Sequence, residues 1–198
     1  MRLNLIANGK GWVEAPQRRL NGECWGVNHI LMQRPVDMVF EIHDLQEKFS
    51  RPLGAHCHRA LKRAIRDNIP YVVRSETEPY VPEKIRVVYP WEEVFQYHGT
   101  DLIGSTFDAM MAYALYTEKF SEIYVYGFLM RRGRQYDHQR DSAHFWLGYC
   151  MGRGVKFFWN QYKGKPFSDM MRTVDGRVYG LGIPQRLWPY MSVMEPPD

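Results

Sequence analysis

STFDAMMAYALYTEKFSEIYVYG, residues 105–127, holds a helix and a strand in direct succession. Phe107, Met110, Met111, Ala114 and Leu115 fall at offsets 0, 3, 4, 7 and 8 and make one apolar stripe of a helix. Ser105 with Asp108 three residues on fits a capping-box start. The run from Glu122 to Phe128 follows and reads as a strand; continuous rather than alternating apolar character suits a strand covered on both faces. A helix feeding such a strand is the unit of a parallel sheet.

The same pattern recurs outward from this stretch. Cys57, Ala60, Leu61, Ala64 and Ile65 repeat the helical offsets, as do Ala143, Trp146, Leu147, Cys150 and Met151. The last of these helices stops at Gly152-Arg153-Gly154 and runs straight into a strand from Val155 to Trp159. Further strands are read from Leu3 to Ala7, Cys24 to Val27, Val36 to Ile42, Tyr71 to Val73 and Ile85 to Tyr89. We expect an α/β fold: one domain over residues 1–160, a mostly parallel sheet with helices on both faces. Residues 161–198 form an irregular, Pro-rich C-terminal extension packed on the same domain.

Composition narrows the class. With 198 residues, 45% hydrophobic and 24% charged, the chain suits one globular domain and not a disordered one. Its three cysteines are far apart with no CxxC pair, against both a disulfide framework and a zinc finger and in favour of a reducing, cytoplasmic setting. No signal peptide and no membrane span are read, so no membrane partner is expected. No metal site is read either: His56-Cys57-His58 are neighbours that do not share a helix face. The net charge of +4 is local. Residues 128–165 carry 8 Lys and Arg, among them Arg131, Arg132, Arg134, Arg140 and Arg153, against Asp137 and Asp141. Such a cluster suits an anionic ligand; a solvated basic face is the alternative.

In parallel sheets ligands bind beyond the carboxyl ends of the strands. That rule selects Asn8, Gly9, Lys10 and Gly11 after the first strand, where glycines let backbone N–H groups approach a phosphate. It selects Asn28 after the second strand and His43 with Asp44 after the third, Asp44 being the candidate to orient the imidazole. It selects Ser105 and Thr106 at a helix start, as cap or as anion donors. Beyond Phe128 come Arg131 and Arg132, then Tyr136, His138, Gln139 and Arg140, read as a loop, and His144, one turn into the last helix and three residues after Asp141. Neither the GxxxxGK[ST] phosphate loop nor the GxGxxG fingerprint is present, since position 14 is Glu14.

Several of these pieces resemble a known group. Leu5-Ile6-Ala7-Asn8-Gly9-Lys10-Gly11-Trp12 is similar to the first strand and glycine turn of the bacterial sialyltransferase-like and motility-accessory-factor glycosyltransferases. The archaeal 6-hydroxymethylpterin pyrophosphokinase-like proteins share that turn. The group's Gly-Asn-Gly-Pro-Ser appears here with Ala7 for the first glycine and Lys10-Gly11 for Pro-Ser. Trp25-Gly26-Val27-Asn28, the helix Thr106 to Leu115 and the strand Glu122 to Gly127 also match. Small phage-borne proteins resemble this arrangement too, including a Tyr-x-x-Gln-Arg piece at Tyr136 to Arg140. The resemblance implies a Rossmann-like fold with a nucleotide held by Asn8, Gly9, Asn28, Ser105 and Thr106. It implies a histidine base, for which His138 and His144 are the catalytic candidates, with Tyr136 near the leaving phosphate.

The expected function is a nucleotide-dependent transferase, glycosyltransferase-like, taking a nucleotide or nucleotide-sugar ligand and an unassigned acceptor. A pyrophosphokinase-like variant would add Mg²⁺, with Asp44 as the nearest ligand. The alternatives are a phage-type protein that sequesters a nucleotide without turnover, in the host cytoplasm if phage-encoded, and a nucleic-acid-associated protein. A homo-oligomer is compatible with each.

Overall fold

The computed structural model describes residues 1–18, 20–50, 54–76, 78–128 and 134–160, with the side chains of Lys10, residues 134–138 and Asn160 left undescribed. Arg131, Arg132 and the expected extension over 161–198 lie outside the described residues. Among the described residues seven strands form one sheet: β1 (Arg2–Ile6), β2 (Glu23–Val27), β3 (Met38–Glu41), β4 (Tyr71–Val73), β5 (Arg86–Val88), β6 (Glu122–Tyr126) and β7 (Lys156–Asn160). Their order is β5-β4-β3-β2-β1-β6-β7, and every neighbouring pair is parallel. The strands read from sequence all occur, and the expected parallel sheet is observed.

Among the described residues five α-helices accompany them: α1 (Leu45–Ser50), α2 (Gly54–Asp67), α3 (Trp91–His98), α4 (Thr106–Tyr116) and α5 (Arg134–Gly152). Side-chain alternation along each strand divides the core into two layers. Leu3, Leu5, Trp25, Phe40, Ile123 and Val125 pack on one face with α4 and α5. Ile6, Cys24, Val39, Tyr71, Tyr124 and Tyr126 pack on the other with Ala60, Leu61 and Ala64 of α2. Sheet faces covered on both sides explain why the strands read as unbroken apolar runs.

Successive strands step outward from β1 to β5, and the chain then crosses back to place β6 on the other side of β1. The position between β1 and β6 is therefore the topological switch point of a doubly wound sheet. One local expectation is corrected. Helix α5 begins at Arg134, so Tyr136, His138, Gln139 and Arg140 lie in its first turns and not in a loop. The apolar stripe marks only the buried part of that helix. Upstream of Ala143 no Gly or Pro interrupts residues 134–142, and the helix propagates through them.

Candidate functional site at the carboxyl edge of the sheet

The chain leaves β1 and β6 side by side. Ala7 N–H donates to Tyr126 O at 2.9 Å, and Gly9 N–H donates to Gly127 O at 3.0 Å, so the pairing continues past the strands into the turn. Gly127 has φ +71°, in the left-handed region. A Cβ there would lie 2.5 Å from Ala7 O and 2.7 Å from Gly9 O. Glycine is required at this position both for its φ and for the close approach of the two exits. Gly9 itself is extended, with φ −68° and ψ 159°. Its carbonyl accepts from Trp12 N–H at 3.0 Å, which opens the 3₁₀ turn Lys10–Glu14. Beneath this turn Arg34, 9% exposed, donates to the carbonyls of Trp12 (2.7 Å), Ala15 (3.0 Å) and Pro16. The turn is thus pinned from the core. Among the described residues the Asn8 and Gly11 N–H groups have no partner, and the buried Asn8 Oδ1 has none either.

On the other face, Ser105 caps α4, its hydroxyl accepting from Asp108 N–H at 3.2 Å, as the sequence pattern indicated. The Asp108 carboxylate folds back over the same helix end. Its Oδ2 accepts from Gly104 N–H at 2.9 Å and from Ser142 Oγ at 2.7 Å, while Oδ1 is buried without a partner. Burial pushes this carboxyl up to about 6, against the pull of its Ser142, Ser105 and Gly104 hydrogen bonds. Above that pH a negative side chain already sits at the positive end of the α4 dipole. The Ser105–Thr106 corner therefore carries its own anion.

A third group of residues gathers at the ends of β2 and β3. Glu41, fully buried, lies 2.6 Å from His43 Nδ1 and 2.6 Å from Lys48 Nζ of α1. Lys48 Nζ also donates to Asn28 Oδ1 at 2.7 Å. Burial works to raise the Glu41 carboxyl, but the His43 hydrogen bond and the Lys48 ammonium outweigh it and hold it below the usual carboxylate range. His29 stands beside this group, its ring 5.8 Å from that of His56 on α2, and burial lowers its basicity. Asn28 adopts φ +54°, and its side-chain oxygen serves Lys48. Asp44 does not orient His43: its Oδ1 accepts from Glu47 N–H at 3.0 Å at the start of α1. The reason is geometric. Residues two apart on a strand point the same way, which aligns Glu41 with His43, whereas Asp44 has already entered the helix turn.

The remaining candidates separate from this edge. His144 is half-buried on α5 with Nε2 unpartnered, and desolvation lowers its pKa. Gln139 contributes its carbonyl to Ser142 Oγ at 3.1 Å. The side chains of Lys10, Tyr136 and His138 lie outside the described residues, as do Arg131 and Arg132. Among the described residues no three His, Cys, Asp or Glu side chains converge, so Asp44 does not gather a Mg²⁺ ligand set there. Among them also no helix is long and apolar enough to cross a membrane. Sequence reasoning passed over Glu41 and Lys48, and read Asp108 only as part of the α4 cap. Glu41 had a signal, being an acid inside the covered run from Val36 to Ile42, where an ionised carboxylate needs a partner.

Fold and edge together define a Rossmann-like, doubly wound α/β domain with a glycine-bearing polar turn at its switch point. Compared with family models, curated proteins and solved structures, the chain matches none.

Proposed function

We propose that this protein is a nucleotide-dependent transferase, glycosyltransferase-like, whose donor phosphate rests against the Asn8–Gly11 turn. The observation that carries the reading is the switch point itself. Asn8 and Gly11 N–H groups, without a partner among the described residues, stand at the exit of β1, directly beside Gly127 at the exit of β6. Backbone donors suit a phosphate, and the crevice at a switch point is where doubly wound sheets take their ligands. The polar groups along the ends of β2 and β3 extend the same edge by two strand spacings, about 10 Å, enough to meet the group attached to that phosphate.

Calorimetric titration of the full chain with nucleotides and nucleotide-sugars tests it, on the natural sequence and on Gly9→Val. Extended backbone at Gly9 accepts a β-branched side chain, so this substitution adds bulk with no demand on φ. At least a tenfold loss of affinity in Gly9→Val is expected. Equal affinity in the two proteins would place the ligand elsewhere, and no binding across the panel would refute the nucleotide reading.

A further inference from the structure

The group at the ends of β2 and β3 has a feature that a purely structural ion pair does not need. Lys48, 15% exposed, would by itself neutralise the buried Glu41. Yet Glu41 Oε1 also holds the imidazole of His43, whose side chain is 51% exposed. An ionised carboxylate only accepts hydrogen bonds, and Lys48 keeps Glu41 ionised. At 2.6 Å from Oε1, Nδ1 must therefore carry the proton. In the neutral ring that fixes the tautomer, with the Nε2 lone pair on a half-exposed side chain. The charges around it are Lys48 from α1, 3.3 Å from Nδ1, and Glu41 itself; His29 from the end of β2, Cys57 from α2 and Tyr71 from β4 surround the carboxylate.

We propose that His43 is the proton acceptor of this edge and that Glu41, buried beneath it, is its positioning residue. The proposal rests on the transferase reading for its reaction. An acceptor hydroxyl attacks the anomeric carbon of the donor, and the bond from that carbon to the phosphate oxygen breaks. The electron pair leaves on the nucleoside phosphate, and the hydroxyl proton passes to His43 Nε2, to be lost to solvent. With water as acceptor the same step is donor hydrolysis, which needs no knowledge of the natural acceptor. The base is thus placed on β3, apart from the histidines of α5.

Three measurements on the full chain decide it. Long-range ¹⁵N–¹H spectra should show His43 as the Nδ1–H tautomer, and diethylpyrocarbonate should modify its Nε2 faster than the imidazole of the exposed His58. An Nε2–H tautomer, or reactivity no greater than that of His58, overturns the dyad. Nucleoside phosphate release from nucleotide-sugars should fall about a hundredfold to ten-thousandfold in His43→Gln with donor affinity kept. Glu41→Gln should give a smaller fall together with a mixed tautomer. His43→Gln changes a half-exposed side chain and keeps the test usable if Glu41→Gln does not fold. Unchanged release in His43→Gln, or donor bound by the natural sequence with no release at all, overturns the catalytic role. Absence of donor binding by the natural sequence fails the transferase reading instead, and the tautomer and modification rates then judge the dyad alone.

Discussion

Replacing Asp108 by Asn should remove a specific slope from the pH dependence of stability. Asp108 is fully buried, and burial raises its carboxyl from 3.8 to about 6. Between those values the folded protein binds a proton that the unfolded chain has released, so stability falls as pH rises. The contribution is fully present below pH 3.8 and lost as pH climbs through about 6. At 1.36 kcal/mol for each pKa unit, the loss is about 3 kcal/mol. Glu41 acts in the opposite sense, its depressed carboxyl giving stability that is lost as pH falls, so a single curve mixes the two. Subtracting the Asp108→Asn curve from that of the natural sequence isolates the Asp108 part. Asn keeps the shape and retains an oxygen for Gly104 N–H and Ser142 Oγ. Urea denaturation followed by circular dichroism at pH 4, 5, 6 and 7, at constant ionic strength, supplies both curves. Relative to the variant, the natural protein should lose about 2.4 kcal/mol of that between pH 4 and pH 7, most of it before pH 6. A difference that stays constant within about 0.5 kcal/mol would show that Asp108 is solvated or paired in a way that leaves its carboxyl ordinary.

The other predictions concern the turn. Gly127→Ala sets a Cβ 2.5 Å from Ala7 O in a left-handed residue, and should cost about 1–3 kcal/mol in urea denaturation while weakening nucleotide binding. Equal stability would mean that the two exits separate easily. Arg34→Ala removes the donor to Trp12, Ala15 and Pro16 carbonyls, and amide exchange over residues 10–16 should speed up before the rest of the sheet is affected. Uniform loss of protection would make Arg34 a global core residue. Asp108→Asn should also tighten phosphate binding above pH 6 if the ligand lies close by, since a unit charge at about 10 Å is worth ~1.7 kcal/mol at an effective dielectric of 20. Identical affinities in calorimetry at pH 7.5 would put the phosphate out of its reach.

Legibility in the sequence followed burial. The stripes of α2, α4 and α5 were readable because Cys57, Ala60, Leu61 and Ala64, and the residues at the same offsets in α4 and α5, face the core; Met151, read as the last member of the α5 stripe, is instead exposed near the helix end. Helix α1 buries only Leu45, and α3 buries only Val94 and His98, so neither shows a countable stripe. Trp91 read as packing beside Tyr89, and it does pack there, 4.2 Å between centroids, but as the first residue of α3. Charge counted over long windows hid another feature: Arg59, Lys62, Arg63 and Arg66 fall on one side of α2 by helical spacing, within a stretch balanced overall. Site partners were the least legible part. That Glu41, and not the adjacent Asp44, holds His43 follows from strand alternation once the end of β3 is known. That Lys48 joins them depends on α1 folding back over the strand end, which no local pattern encodes.

These partners also bear on how the edge divides its work. A helix N-terminus and a glycine turn are both able to hold an anion, and the sequence offers both at the same edge. Asp108 settles the difference between them. Its carboxylate takes the Gly104 N–H and opposes the α4 dipole, so a second anion at that corner would meet a like charge above pH 6. The Asn8–Gly11 turn contains no acid; the chain just beyond it is held from below by Arg34, through the Trp12, Ala15 and Pro16 carbonyls, and the turn meets Gly127 from the side. A buried guanidinium beneath a turn with unpaired N–H groups adds positive potential without filling the space above it. On the far side of β2, Glu41 is compensated by Lys48 and also holds Nδ1 of the half-exposed His43, the group proposed above to accept the proton. The anion capture proposed at β1 and the proton transfer proposed at β3 would thus fall to separate strands of one sheet edge, with Asn28 at the end of β2 between them and already committed to Lys48.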